Sequence, residues 1–388
     1  MDRFDRYRGC LLGGAAGDAL GYPVEFASRT AILSAYGPRG ITDYALMDGV
    51  AQISDDTQMT LFTANALLFA DTRRRVGAPG GTIEGATAAC YQDWLRTQQE
   101  PYPRPDGDYI SWLAHVPELY HRRAPGNTCL TAIGQGAKGT IIHPINQSKG
   151  CGGIMRVAPI GLYTKHPEKA GLLAAQNAAM THGHELGYIP AGMLGYCIST
   201  LSHEENTSLL TVIQSSMDWA TRQFSTAKHL PELTTLVEQA VSLATSTLPD
   251  EEAIRTLGEG WVAEETFAIA VYCALKYERD FDQALIAAVN HDGDSDSTGA
   301  VTGNLLGASL GLSGIPQKYQ HALELRKVIL ELADDLCHGC PVGYGQQPII
   351  HVAGTPIPEP PAETSAAALW DTKYNTATYC PSATNESR

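Results

Sequence analysis

The sequence predicts an all-α fold, on three observations. Apolar residues recur at three-to-four spacing in stretches rich in Ala, Leu and Glu; alternating β-branched runs are scarce; and two series of glycines repeat every fourth residue. The first series, Gly9, Gly13, Gly17 and Gly21, puts four glycines on one face of an N-terminal helix. "TQMTLFTANALLFA" (57–70), "NTCLTAI" (127–133), "TTLVEQAVSLATS" (234–246), "EEAIRTL" (251–257) and "AEETFAIAVYCALKY" (263–277) then read as helices. The second glycine series, Gly299, Gly303, Gly307 and Gly311, follows an acidic loop, and "HALELRKVILELADDL" (321–336) closes the helical pattern. Each helical glycine costs about 1 kcal/mol relative to Ala. Eight of them therefore imply two helices that pack backbone against backbone at the centre of the bundle. Membrane helices with that spacing are excluded by Arg8, Asp18 and Asn304 and by short apolar runs.

The chain is expected to be one domain over residues 1–345 with a Pro/Ser/Thr-rich tail over 346–388, partly disordered and with little to bury. No signal-peptide core or membrane span is visible, so the expected location is the cytoplasm, as a monomer. Nine cysteines without framework spacing fit a reducing compartment, and "CHGC" (337–340) reads as a helix end with incidental thiols. A formal net charge of −15 opposes nonspecific binding to nucleic acid or to an anionic membrane.

"HDGDSDSTG" (291–299) places Asp292, Asp294 and Asp296 at alternate positions among Ser295, Ser297 and Thr298. Such residues cap helices, yet three carboxylates repel unless something positive lies among them, and a hard cation is the natural counter-charge. An EF-hand is excluded, because Ser297 stands where its turn glycine belongs and Gly303 where its Glu belongs. A second acidic cluster, "ISDDTQMT", carries Ser54, Asp55 and Asp56 at another helix start. Two such clusters can converge into an oxygen-lined site for one or two Mg²⁺ or Mn²⁺ ions. "GQGAKG" (134–139) matches a dinucleotide fingerprint but lacks a βαβ setting. "NQSKGCGGIMRVAP" is more informative. Ser148, Lys149, Gly150, Cys151, Gly152 and Gly153, with Arg156 beyond, have the chemistry of a diphosphate cradle or of an ordinary loop. His182 and Cys151 have no spacing that makes them a nucleophilic pair.

Taken in order, "GCLLGGAAGDALGYPVEF", "SDDTQMT", "NQSKGCGGIMRVAPIG", "THGHELGY" and "NHDGDSDSTGAVTGNLLGA" resemble the ADP-ribosylglycohydrolase family, over residues 9 to about 337. The resemblance implies an orthogonal helical bundle with two Mg²⁺ or Mn²⁺ ions at the bottom of an ADP-ribose cleft. By position, the metal ligands it implies are Ser54, Asp55, Asp56, Asp294, Asp296 and Ser297, with two serines where the family has threonines. Asp292 is implied to support the ligand pair. Catalysis is implied for Asp56, Glu25 and Asp55, and ADP-ribose contact for Ser148 to Gly153 and His182, Cys151 standing where relatives often have Asn. The expected activity is hydrolysis releasing ADP-ribose from a mono-ADP-ribosylated protein, with arginine as acceptor. Alternatives are O-linked ADP-ribose (serine, O-acetyl-ADP-ribose, a nucleic-acid end) or a non-catalytic binder of ADP-ribose or of a toxin.

Overall fold

The computed structural model describes residues 2–103, 109–341 and 366–381, and those residues form an all-helical bundle without a sheet. At its centre the helix Arg3–Gly21 lies antiparallel against the helix Ser295–Leu310. The two glycine series are the reason. A Cβ on Gly17 would overlap the carbonyl of Gly299, one on Gly303 that of Gly13, and one on Gly307 that of Gly9. Gly21 faces Ser295 in the same register. The pairing thus fixes the C-terminal end of one helix, with Asp18, against the N-terminal end of the other, with Asp294 and Asp296. Gly311, at φ 72°, ends its helix rather than continuing the face.

Most expected helices are present, as Asp55–Arg75, Asn127–Gly134, Leu230–Ala244, Asp250–Leu257 and Ala263–Lys276. No helix among the described residues is long and apolar enough to cross a membrane. The helix expected over 321–336 starts only at Arg326. Ala322 and Leu325 adopt positive φ, and the intervening backbone is committed elsewhere. The Ala51 amide donates to the Ala322 carbonyl at 2.7 Å, the Glu324 amide to the Ala51 carbonyl at 3.0 Å, and the Ile53 amide to Glu324 Oε2 at 3.0 Å. Helical periodicity gave way there to the anchoring of residues 51–53, which lead into Ser54.

The tail also departs from expectation. Its composition, averaged over the segment, hid a short helix: Ala366–Tyr374 buries Trp370 and Tyr374 against the bundle. Trp370 Nε1 donates to Thr72 Oγ1 at 2.8 Å. Lys373, 4% exposed, pairs with Glu331 at 2.6 Å and Asp335 at 2.8 Å. The rest of the expected tail, 346–365 and 382–388, lies outside the described residues. Lys373→Met would strand two carboxylates beside a buried apolar tip, and breaking a buried pair from one side costs about 3 kcal/mol. Urea unfolding should show that loss, with no change in ligand affinity.

Candidate active site

Each acidic cluster caps a helix. Ser54 Oγ accepts the Asp56 amide at 3.1 Å ahead of Asp55–Arg75, and Asp294 Oδ1 accepts the Ser297 amide at 3.2 Å ahead of Ser295–Leu310. The capping reading is therefore correct for both, and it does not exhaust them. The two helix mouths meet: Ser297 Oγ donates to Asp56 Oδ2 at 2.8 Å, joining segments 241 residues apart. The Asp55 amide donates to the Arg123 carbonyl at 3.0 Å, and Arg123 pairs with Glu324 at 3.3 Å. The 321–325 turn and the residues around Arg123 thus hold the first cluster in place.

One acid in this group was not singled out from the sequence. Asp18 is fully buried on the glycine-faced helix and accepts the Ser54 amide at 2.9 Å, the Thr57 amide at 3.1 Å and the Thr57 hydroxyl. It ties the first acidic cluster to the central helix pair. The available signal was a carboxylate inside "GGAAGDALG", a run otherwise built for close backbone contact.

The carboxylates are packed together at high electrostatic cost. Burial first, and Asp296's charge next, push Asp18 up to about 7 and Glu25 up to about 10. Asp55, Asp56 and Asp294 are raised for the same two reasons in the same order. The cluster is held meanwhile by hydrogens: from Ser297 on Asp56, and from the Cys151 thiol on Asp294 Oδ2 at 2.8 Å.

Glu25 follows the 3₁₀ turn Tyr22–Val24, on a segment strapped to the opposite side. Phe26, 75% exposed, stacks on Trp261 at 5.7 Å. The Arg29 amide donates to Asp292 Oδ1 at 2.8 Å, and its guanidinium pairs with Glu251 at 2.9 Å. Asp292 is exposed, so its support acts through the Glu25 segment, by anchoring the start of the helix Arg29–Tyr36.

The glycine loop lies beside the cluster. Its backbone is pinned at both ends of a short bridge, the Cys151 amide donating to the Trp261 carbonyl at 3.2 Å and the Ala263 amide to the Lys149 carbonyl at 2.9 Å. The two cations noted near this loop are both engaged by the protein itself. Lys149 is ion-paired with Glu264, and Arg156 is turned into the core. His182 is buried against the loop, and burial, with Arg156's charge second, lowers it to about 3.

A cavity of about 1320 Å³ is bordered by Tyr22, Gln52, Arg123 and Glu324 and by none of the implied metal ligands. Tyr22 and Arg123 are its link to the acidic cluster. Among the described residues, no three His, Cys, Asp or Glu side chains stand at metal-holding spacing. The donor set nonetheless fits a hard divalent cation: carboxylates and serine hydroxyls only, mutually repelling, with a buried Glu25 Oε2 that has no hydrogen-bond partner.

A family model described as ADP-ribosylglycohydrolase matches residues 1–345. The chain belongs to the ADP-ribosylglycohydrolase family. Relatives of the chain include the ADP-ribosyl-[dinitrogen reductase] glycohydrolase of Rhodospirillum rubrum, 25% identical over 327 residues, covering 83% of this chain and 91% of that one. ADP-ribosylhydrolase ARH3 of Mus musculus is 24% identical over 351 residues, covering 82% and 87%. A solved structure titled ADP-ribosylglycohydrolase-related protein complex superposes with a TM-score of 0.59 at 25% identity, covering 87% of this chain and 98% of that one. The helical fold is thus the family's.

Proposed function

We propose that this glycohydrolase releases ADP-ribose from mono-ADP-ribosylated protein, with N-linked ADP-ribosyl-arginine as its substrate, and that Mg²⁺ or Mn²⁺ completes its site. The observation that carries the reading is the meeting of three segments: the Ser54–Asp56 cap, the Asp294–Ser297 cap and the Ser148–Gly153 loop, joined by the Ser297–Asp56 and Cys151–Asp294 hydrogen bonds. Those contacts set a glycine loop next to a carboxylate cluster, which supports a ligand with a diphosphate beside a ribose.

Ser54, Asp55, Asp56, Asp294, Asp296 and Ser297 are the residues that would hold the ions. When bound, two such cations orient the vicinal ribose hydroxyls and offset charge as an oxocarbenium-like transition state forms. This chain's own residues do the rest. The loop backbone and His182 bind the diphosphate. Glu25 handles the proton, because its Oε2 is uncommitted whereas Asp56 Oδ2 already receives the Ser297 hydroxyl. The Phe26–Trp261 stack holds the Glu25 segment in place. The cavity beyond Tyr22 and Arg123 leaves room for a polypeptide acceptor.

Gly150 offers a clean test of the cradle. Its φ of −58° and ψ of 160° suit any residue, and an added Cβ would lie in ordinary contact, 3.5 Å from His182 Nε2. Gly150→Val should therefore fold normally while its branches obstruct the diphosphate, weakening ADP-ribose at least roughly tenfold, about 1.4 kcal/mol. Mg²⁺ binding should persist. Unchanged ADP-ribose affinity by calorimetry would remove the loop from the site. The acceptor is tested by incubating the protein with ADP-ribosylated arginine, serine and nucleic-acid substrates: release from arginine is expected, and release from serine or nucleic acid alone would replace that assignment.

A further inference from the structure

Arg156 is wholly buried, and its hydrogen bonds go to neutral groups and not to a carboxylate. Nη1 donates to the Gly152 carbonyl at 2.9 Å, Nη2 to the Asn177 carbonyl at 3.1 Å and to Thr181 Oγ1 at 2.7 Å, and Nε to Asn177 Oδ1 at 3.2 Å. The guanidinium lies 4.8 Å from the Tyr91 ring centroid. Burying a charge this way is unfavourable unless the planar fork is needed for what it holds. It holds two things: the glycine loop, through Gly152, and the histidine beside that loop, through Thr181.

We infer that Arg156 is a positioning residue for diphosphate recognition, which through Thr181 sets His182 in the tautomer carrying its hydrogen on Nε2. The inference rests on the functional reading above. Thr181 Oγ1 already accepts from Arg156, so its own hydrogen goes to one of two acceptors, the Ala178 carbonyl at 3.4 Å or His182 Nδ1 at 2.8 Å. The shorter contact takes it, Nδ1 is the acceptor, and the ring hydrogen resides on Nε2. That edge lies along the loop: a Cβ on Gly150 would be 3.5 Å from Nε2, and one on Gly152 3.4 Å. His182 therefore presents a neutral N–H donor beside the loop amides, and the guanidinium behind the loop adds a fixed positive charge to a loop whose own lysine is paired with Glu264. Without Arg156 the Gly152 carbonyl keeps only the weak Cys129 thiol contact at 3.7 Å, and Thr181 loses the donor that directs its hydroxyl.

The test uses the full chain and two variants. Thr181→Val keeps the shape and Arg156 but cuts the relay; Arg156→Lys keeps the charge but cannot make the four bonds. Long-range ¹H–¹⁵N spectra of the imidazoles, with His182 assigned by the signal lost in His182→Asn, read the tautomer without ligand. Calorimetry with ADP-ribose reads affinity. Expected are an Nε2–H tautomer in wild type, an averaged tautomer in Thr181→Val, and ADP-ribose affinity reduced roughly tenfold in Thr181→Val and further in Arg156→Lys. An Nδ1–H or charged His182 in wild type, or a Thr181→Val protein matching wild type in tautomer and affinity, overturns the inference. Failure of wild type to bind ADP-ribose would instead strike the functional reading, while the ligand-free tautomer still judges the relay.

Discussion

Asp296→Asn is expected to lower turnover at least ~100-fold, and to leave the chelated protein as stable as wild type or more so. Its carboxylate raises the proton affinity of Asp18, Glu25, Asp55, Asp56 and Asp294, so removing that one charge relieves five neighbours. Its bond within the helix mouth is one an Asn oxygen can also make, Oδ1 accepting the amide of Ser297 at 2.8 Å. A mere turn residue would therefore tolerate the change in both activity and response to Mg²⁺. A cage residue loses activity together with the stabilisation that Mg²⁺ gives by mass action. Thermal melts with chelator and with excess Mg²⁺ separate the two, equal Mg²⁺ shifts in both proteins ruling out the cage role.

The same repulsion predicts a pH dependence of the chelated protein. A carboxyl whose pKa is higher in the folded state contributes stability below its unfolded value and loses it as pH rises to the folded value. Asp18 goes from 3.8 to about 7 through burial, then Asp296's charge. Chelated wild type should lose stability between pH ~4 and ~7, and Asp296→Asn should show a shallower fall.

Gly303→Ala is expected to cost about 3 kcal/mol or more, despite Ala being the better helix former by about 1 kcal/mol. The new Cβ would overlap the Gly13 carbonyl and press on Gly14, and neither can retreat as a flexible side chain would. The helices must part along a glycine-lined seam, which also shifts Asp18 away from the Asp294–Asp296 mouth. Gly126→Ala is the control. Its φ of −62° is ordinary and an added Cβ meets nothing within 4 Å, so the change should stay within ~0.5 kcal/mol. Denaturant midpoints of both variants check the contrast, and near-wild-type stability of Gly303→Ala would show that the seam is not closed as described.

The glycine seam was legible because spacing of four has one geometric meaning on a helix, and two matching series have each other as natural partners. Both acidic clusters were legible as helix starts, since Ser and Asp cap helices whatever else they do. What spacing could not convey was tertiary direction. Lys149 and Arg156 sit one and three residues from loop glycines, yet one turns to Glu264 and the other into the core. Asp18 was hidden within a packing pattern, Glu324 within a helical one that local backbone bonds interrupt, and Trp370 within a polar tail whose average masks it. In each case a long-range contact overrode the local signal.

The most direct measurement follows ADP-ribose release from a mono-ADP-ribosylated arginine protein by the metal-stripped chain, by the same chain after Mg²⁺ or Mn²⁺ is restored, and by restored Asp296→Asn. The account predicts release only from the restored wild type, with Mg²⁺ or Mn²⁺ more effective than Zn²⁺ because the donors are hard oxygens. Full release by the stripped chain, with metal shown absent by elemental analysis, or full release by Asp296→Asn, would contradict it.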